Sequence, residues 1–458
     1  MGKAATRKGE VSFNSAAAWI GLAILALLLS GALALALVVG RTPVISDWLD
    51  DPHFFRRALV IHVNLALWGW FLAYAAGLRV LVDGPGNRWR HRAGLGLAAG
   101  GLFAVVASAG MRGAEPILVN YIPVVDHPLY LWGLGAFFAG VMLEICRLPR
   151  VEPATTRRIG ASAAWLWRSA FLIALISLWV FGMSWLGTPS GLGVELYYEL
   201  LFWGVGHTLI VLLVVVMLGA WTYLLTDRHG REPFRPGWAL AIAAGLIVPL
   251  IIAPMMTLNG TVDAGYVRGF TRLMQFGIVG PVAVAIVLCV PALWRDGVSR
   301  AGRWAFLVSA SLTVVGFGLG AMIHGSDTMI PAHYHASLGA ITVAVMALTF
   351  AFLEIPGWTP SKRWWKRFAC WQPVIFGTGQ LVFAAGFAVS GIFGMDRKAY
   401  GADQIIDSTG AMVGLFTMGI GGLMAVAGGA GFLILISAVL IDRLRLKPST
   451  IHPTRRLP

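Results

Sequence analysis

The chain has 458 residues, 58% of them hydrophobic and only 12% charged. Soluble domains carry about 25% charged residues, so this composition excludes a soluble enzyme, a disordered protein and a nucleic-acid binder, even at a formal net charge of +14. A mean hydropathy of +0.76 fits a polytopic membrane protein instead.

A helical crossing of the bilayer core needs about 20 predominantly apolar residues. Twelve such stretches follow one another, near 17–40, 57–78, 93–111, 128–146, 162–187, 198–225, 238–258, 272–294, 303–323, 331–354, 371–394 and 410–441. Continuous apolar runs, rather than a two-residue alternation, select helices over a barrel. The expected class is all-α: one twelve-helix membrane domain over 1–458, with tails at 1–15 and 443–458. The first stretch shows no clear cleavage site and reads as a retained helix.

Lys and Arg orient this bundle. With the N-tail cytoplasmic, 26 of the 35 fall in the two tails and the loops on that side, counting Arg79 and Arg147. Eight fall on the opposite side, and Arg168 lies within the fifth stretch. The bias predicts both termini inside, in a bacterial-type cytoplasmic membrane, and explains the basic balance as topology rather than as a ligand site. Cys146, Cys289 and Cys370 are far apart and form no CxxC, so neither a disulfide framework nor a thiolate metal site is indicated.

Ten histidines are more informative. His91, His229 and His452 fall in loops or the tail, and His53 and His127 at the outer edge; these read as solvated. Four others lie inside apolar stretches: His62 in RALVIHVNLALWGWFLA, His207 in FWGVGHTLIVLL, and His333 and His335 in GSDTMIPAHYHASLGAI. Polar groups at such depth are costly and mark function. In the predicted topology all four sit near the outer side. Residues two apart on a helix point about 200° away from each other, so His333 and His335 cannot share one metal but can serve two neighbouring centres. Imidazole is a common axial ligand of haem iron, which makes two haems flanking the tenth helix the natural reading.

These residues resemble the catalytic subunit (subunit I) of the haem-copper oxidase superfamily, which includes oxygen reductases and nitric oxide reductases. HGSDTMIPAHYH (324–335) is similar to the family's H-x-D-T segment followed by H-x-H. The resemblance implies that His333 is the proximal ligand of a high-spin haem. It implies that His335 and His62 pair across a low-spin haem. WGVGH (203–207) looks like the segment carrying one copper-site histidine, His207. GMDRKAYG (394–401) is similar to the loop that clamps haem propionates, which makes Arg397, Lys398, Asp327 and His324 propionate partners.

Two departures stand beside this likeness. The family's adjacent histidine pair belongs near the outer end of the seventh helix, where this chain has IIAPMMTLNG (251–260). Met255 and Met256 are weak substitutes as ligands of a second metal, copper or non-haem iron. The tyrosine that common oxygen reductases place four residues after the counterpart of His207 is replaced by Val211. Glu195 and Glu199, on the outer side of His207, read as proton or metal partners or as solvated carboxylates. The expected function is a respiratory oxidoreductase that passes electrons from the His62–His335 haem to the His333 haem, where O2 or NO is reduced. The alternatives are a non-catalytic diheme electron carrier or gas sensor that has lost the second metal, and a cofactor-free transporter. With no cytochrome c domain and no copper-A cysteine pair in the chain, the electron donor is expected to be another subunit, a cytochrome c or a quinol.

Overall fold

A computed structural model describes residues 2–39, 54–150, 159–358, 362–397 and 408–445, with side chains of the first and last helices described over 12–34 and up to 443. Twelve helices are long and apolar enough to cross a membrane. They are Ser12–Ala34, Phe54–Asp83, Arg88–Gly110, Pro128–Ile145, Ala161–Gly187, Val194–Leu224, Pro236–Thr257, Ala264–Trp294, Arg300–Ala321, Met329–Glu354, Arg363–Ile392 and Thr409–Arg443, hereafter spans one to twelve. Each matches one expected stretch. The eighth and eleventh begin eight residues earlier than their apolar runs, because polar residues such as Arg268 and Lys366 extend the helix beyond the hydrophobic core. The expected N-tail is largely helical, since the first helix runs Gly2–Val39.

Burial separates the spans. The second, sixth and tenth are buried over 94, 89 and 78% of their most apolar windows, against 28–50% for the other nine. A helix that is apolar all round belongs in an interior. These three spans are the ones that carry His62, His207, His333 and His335.

The chain divides into two compact units. The first comprises 1–219 and 234–285. Within it, spans three and four approach closely through glycines: a Cβ on Gly101 would lie 2.4 Å from the Gly133 carbonyl, and one on Gly140 2.4 Å from that of Gly94. Small residues at four-to-seven spacing let helix backbones pack where lipid gives no hydrophobic drive. Between these spans, β1 (Glu115–Ile117) and β2 (Val124–Asp126) form a short antiparallel hairpin, with Glu115 opposite Asp126.

The same unit contains a buried ionic cluster. Asp83 accepts from Arg168 Nε at 2.8 Å and pairs with Arg79. Glu144 pairs with Arg147 Nε at 2.8 Å and with His91 Nδ1 at 2.8 Å. This corrects the reading of His91 as a solvated loop residue, and removes Arg79 and Arg147 from the free loop cations. Unpaired charge buried this fully is costly, so carboxylates from spans two and four neutralise the arginines.

The second unit comprises 220–233 and 286–458. Spans eleven and twelve meet through Gly379, Gly386, Gly421 and Gly428, each with a neighbouring backbone atom within 2.6 Å of where a Cβ would sit. Trp221 Nε1 donates to Ser309 Oγ at 2.8 Å, and Ser309 Oγ donates to the Ala340 carbonyl at 2.7 Å.

Candidate functional site

In the first unit, His62 follows from the local winding of the second span. Its Nδ1–H donates to the Ser30 carbonyl at 2.8 Å, while Ser30 Oγ donates to the His62 carbonyl. Just beyond, Leu65–Gly69 is π-helical. A π-turn re-aims the side chains around it and is frequent at functional sites. Here Asn64 Nδ2 turns to the Pro123 carbonyl at 2.7 Å and Trp68 Nε1 to the Tyr121 carbonyl at 2.8 Å. Arg57, fully buried, donates to the Ala109 and Ala114 carbonyls. The second span therefore grips the segment 109–126 at four places.

That segment delivers a tyrosine to His207. The Tyr121 O–H donates to His207 Nε2 at 2.9 Å, and His207 Nδ1–H donates to the Trp203 carbonyl at 2.6 Å. Tyr121 adopts φ 62°, a conformation rare for a non-glycine residue. The strain is held by neighbours on both sides. Asn120 donates from its backbone N–H and from Nδ2 to the two oxygens of Glu199. The phenol also packs edge-on to Trp203. Burial first, and then the Glu199 carboxylate, push the Tyr121 hydroxyl above the ordinary phenol range, so it stays protonated.

The glycines of WGVGH explain how two tyrosines fit. A Cβ at Gly206 would lie 2.4–2.8 Å from the Tyr121 ring, and one at Gly204 2.9 Å from Tyr266 Oη. Tyr266 in turn donates to the Leu200 carbonyl at 2.8 Å and receives the Gly204 N–H. Tyr121 is the residue that sequence reasoning missed. The signal available was a glycine immediately before an intramembrane histidine, which implies a bulky neighbour but not its place in the chain. Glu199 is a clamp on this loop; Glu195 is exposed.

In the second unit, His333 is anchored like His62. Its Nδ1–H donates to the Gly316 carbonyl at 2.7 Å. Gly320, one turn on, leaves room for the ring, since a Cβ there would lie 2.7 Å from Nδ1. His335 packs between aromatic rings, edge-on to Phe383 and stacked on Phe387. The segments expected to clamp propionates come together: Asp327 and Asp396 form an antiparallel bridge, Thr328 N–H donates to the Met395 carbonyl at 3.0 Å, and Arg397 N–H to the Ser326 carbonyl. Asp327 Oδ1 accepts the Met329 N–H at 2.8 Å, and exposed His324 donates from Nδ1 to the Met322 carbonyl. Lys398 lies outside the described residues.

The donor chemistry at His62 and His333 fits haem iron. Metal-binding histidines characteristically donate their second ring nitrogen to a carbonyl or carboxylate, which fixes the tautomer and leaves the other lone pair for the metal. Both residues do this through Nδ1, which directs the free lone pair to Nε2. His207 differs, because both of its nitrogens are engaged by protein. Met255 is 67% exposed, and Met256 packs its sulfur toward Gly269. No group of three or more His, Cys, Asp or Glu among the described residues is placed to hold a metal. With His207 Nε2 held by Tyr121 and Met255 exposed, the residues as placed do not fit a second metal.

Comparison with known proteins defines the class first. The structure aligns with a heme-copper terminal oxidase dimer solved by cryo-EM, at a TM-score of 0.68 and 15% identity, covering 97% of this chain and 86% of that one; the shared element is the fold. Residues 15–425 match the family described as Cytochrome C and Quinol oxidase polypeptide I. The chain belongs to that family and is a multi-pass membrane protein of the haem-copper oxidase subunit I type. Two curated relatives are uncharacterised. One, from Aquifex aeolicus (strain VF5), is 28% identical and covers 78% of this chain and 89% of its own length. The other, from Rickettsia prowazekii (strain Madrid E), is 24% identical, with coverage of 91 and 94%.

Proposed function

We propose that this protein is a haem-bearing respiratory oxidoreductase of a bacterial cytoplasmic membrane. It takes electrons at a low-spin haem on His62 and His335 and reduces a small gas, O2 or NO, at a high-spin haem on His333. The observation that carries the reading is the shared anchoring of His62 and His333, each with Nδ1–H on a backbone carbonyl and Nε2 left as the ligand atom. A bound haem supplies gas binding and one-electron redox chemistry at His333. The chain's own residues supply the rest. Tyr121 Oη keeps its proton and donates a hydrogen bond to His207 Nε2, and the Asn120–Glu199 clamp keeps the phenol in place. Arg397 and Asp327, on bridged segments, support the haem propionates together with His324 and Lys398. Electrons arrive from another subunit, a cytochrome c or a quinol, and both termini face the cytoplasm.

One specific observation favours a second reading. The His207 lone pair is occupied by Tyr121, and the seventh span ends without histidine, so the site suits a diheme carrier or gas sensor lacking the second metal. Reduced spectra with and without carbon monoxide test the haems. Two haems with one carbon monoxide shift support the shared part of both readings, and no haem overturns it. Turnover of O2 or NO by that protein, with a reduced donor, then separates enzyme from carrier.

A further inference from the structure

Away from the histidines, the second unit has a cleft of about 460 Å³ lined by Arg300, Arg363, Lys366, Arg367, Cys370 and Trp371. Arg300 opens the ninth span and Arg363 the eleventh. We propose that this cleft binds the phosphate group of an anionic phospholipid.

Four cations converge on one volume. Among the described residues none of them makes an ion pair within 4 Å, although Glu354 and Lys366 interact electrostatically at longer range. Lys366 and Arg367 each lie one turn from Arg363 on a single helix, and like charges at that spacing are mutually destabilising. They also stand at a helix N-terminus, where the backbone dipole favours anions and disfavours cations. An anion in the cleft offsets both costs. Topology accounts for cations near this end of the spans, but not for their convergence around a cavity within the size range of small-ligand clefts.

The aromatic neighbours specify a lipid. The Arg300 guanidinium lies 5.6 Å from the Trp371 ring centre, and Trp371 stacks on Trp304 at 6.0 Å. Trp364 and Trp371 are exposed. Indoles at the end of a span mark headgroup depth, and basic pockets between helices at that depth suit phospholipid phosphates. Beyond Arg367 the wall continues as Cys370 and Trp371 toward the apolar part of the eleventh span, where acyl chains would lie.

Cys370 gives a native reporter inside the cleft. The full-length protein is placed in nanodiscs of phosphatidylcholine with increasing phosphatidylglycerol, and N-ethylmaleimide labelling is resolved by peptide mass. Cys146, which does not line the cleft, is the internal reference. Phosphatidylglycerol is expected to slow labelling of Cys370 relative to Cys146. The double variant R363Q/R367Q should need about thirtyfold more of this lipid for the same protection. Equal protection by phosphatidylcholine, or protection unchanged in the variant, overturns the proposal. Protection by millimolar inorganic phosphate in pure phosphatidylcholine assigns the cleft to a free anion and overturns the lipid. The wild-type comparison of lipids stands alone if the variant fails to fold.

Discussion

The Tyr121 hydroxyl donates to His207 Nε2 at 2.9 Å across 86 residues of sequence. A loop tyrosine thus occupies the nitrogen through which His207 could otherwise bind a metal. Removing the hydroxyl while keeping the ring should expose that lone pair. Tyr121→Phe is expected to fold, to lose about 1–3 kcal/mol of stability for the unsatisfied buried acceptor, and to bind added copper more tightly than the wild type. Metal titration followed by elemental analysis checks this; unchanged copper binding would mean that Tyr121 does not control His207.

Gly206→Ala should act on the same contact from the other side. The new methyl would meet the Tyr121 ring at 2.4–2.8 Å. Overpacking of this kind costs roughly 1–3 kcal/mol. Thermal melting in detergent should show that loss together with the copper binding of Tyr121→Phe. A variant that melts like the wild type would refute the packing argument.

Haem stoichiometry separates the histidine roles. His335→Ala and His62→Ala should each remove the low-spin haem and leave the carbon monoxide-reactive one. His333→Ala should do the reverse. Pyridine haemochrome counts with carbon monoxide difference spectra decide it. Loss of both haems in every variant would argue against separate assignments.

Asp83→Asn should be among the most destabilising conservative changes in the chain. It removes the carboxylate shared by Arg79 and Arg168, both buried. Breaking a buried pair from one side costs about 3–5 kcal/mol. Haem spectra of whatever folds should be normal, since the cluster stabilises the bundle and its one histidine, His91, is not among the proposed haem ligands.

The loop after the sixth span should be acid-sensitive. Burial of Asp227 would raise its pKa, but donation from the Arg231 and His229 N–H groups and the Arg231 side chain outweighs this and holds the carboxyl below its usual range. Its contribution is therefore full above the unfolded carboxylate value and is lost as pH falls through the folded one. Proteolysis within 226–235 should rise at low pH in the wild type. Asp227→Asn should already be cleaved faster at neutral pH, with a flatter pH response.

The twelve spans were legible because each apolar run exceeds the length a bilayer demands, and lipid leaves helices as the solution. The four intramembrane histidines were legible for the complementary reason, that polar side chains in such runs are rare. Tyr121 was not legible. Its position depends on a left-handed residue in a loop gripped by Arg57, Asn64 and Trp68, and no local pattern reports contacts made so far along the chain. The ionic cluster was hidden differently. Arg79, Asp83, Glu144 and Arg147 sit at span ends, where charge normally meets water, and only packing shows that they face one another. The exposure of Met255 was not legible either: the seventh span leaves its α-helix at Ile251 and continues as a tight 3-10 turn over Ala253–Thr257.

The oxygens that hold Nδ1 of His62, His207 and His333 belong to Ser30, Trp203 and Gly316 as backbone carbonyls. No single side-chain replacement deletes them. The orientation of these rings is thus set mainly by where the helices lie, although Ser30 Oγ also lies 2.9 Å from His62 Nδ1. A lineage can rewrite most of its sequence and keep these imidazoles tuned, provided the helices do not slide. Changes that alter helix register, such as a one-residue insertion between Gly316 and His333, should detune the site more than most substitutions around it.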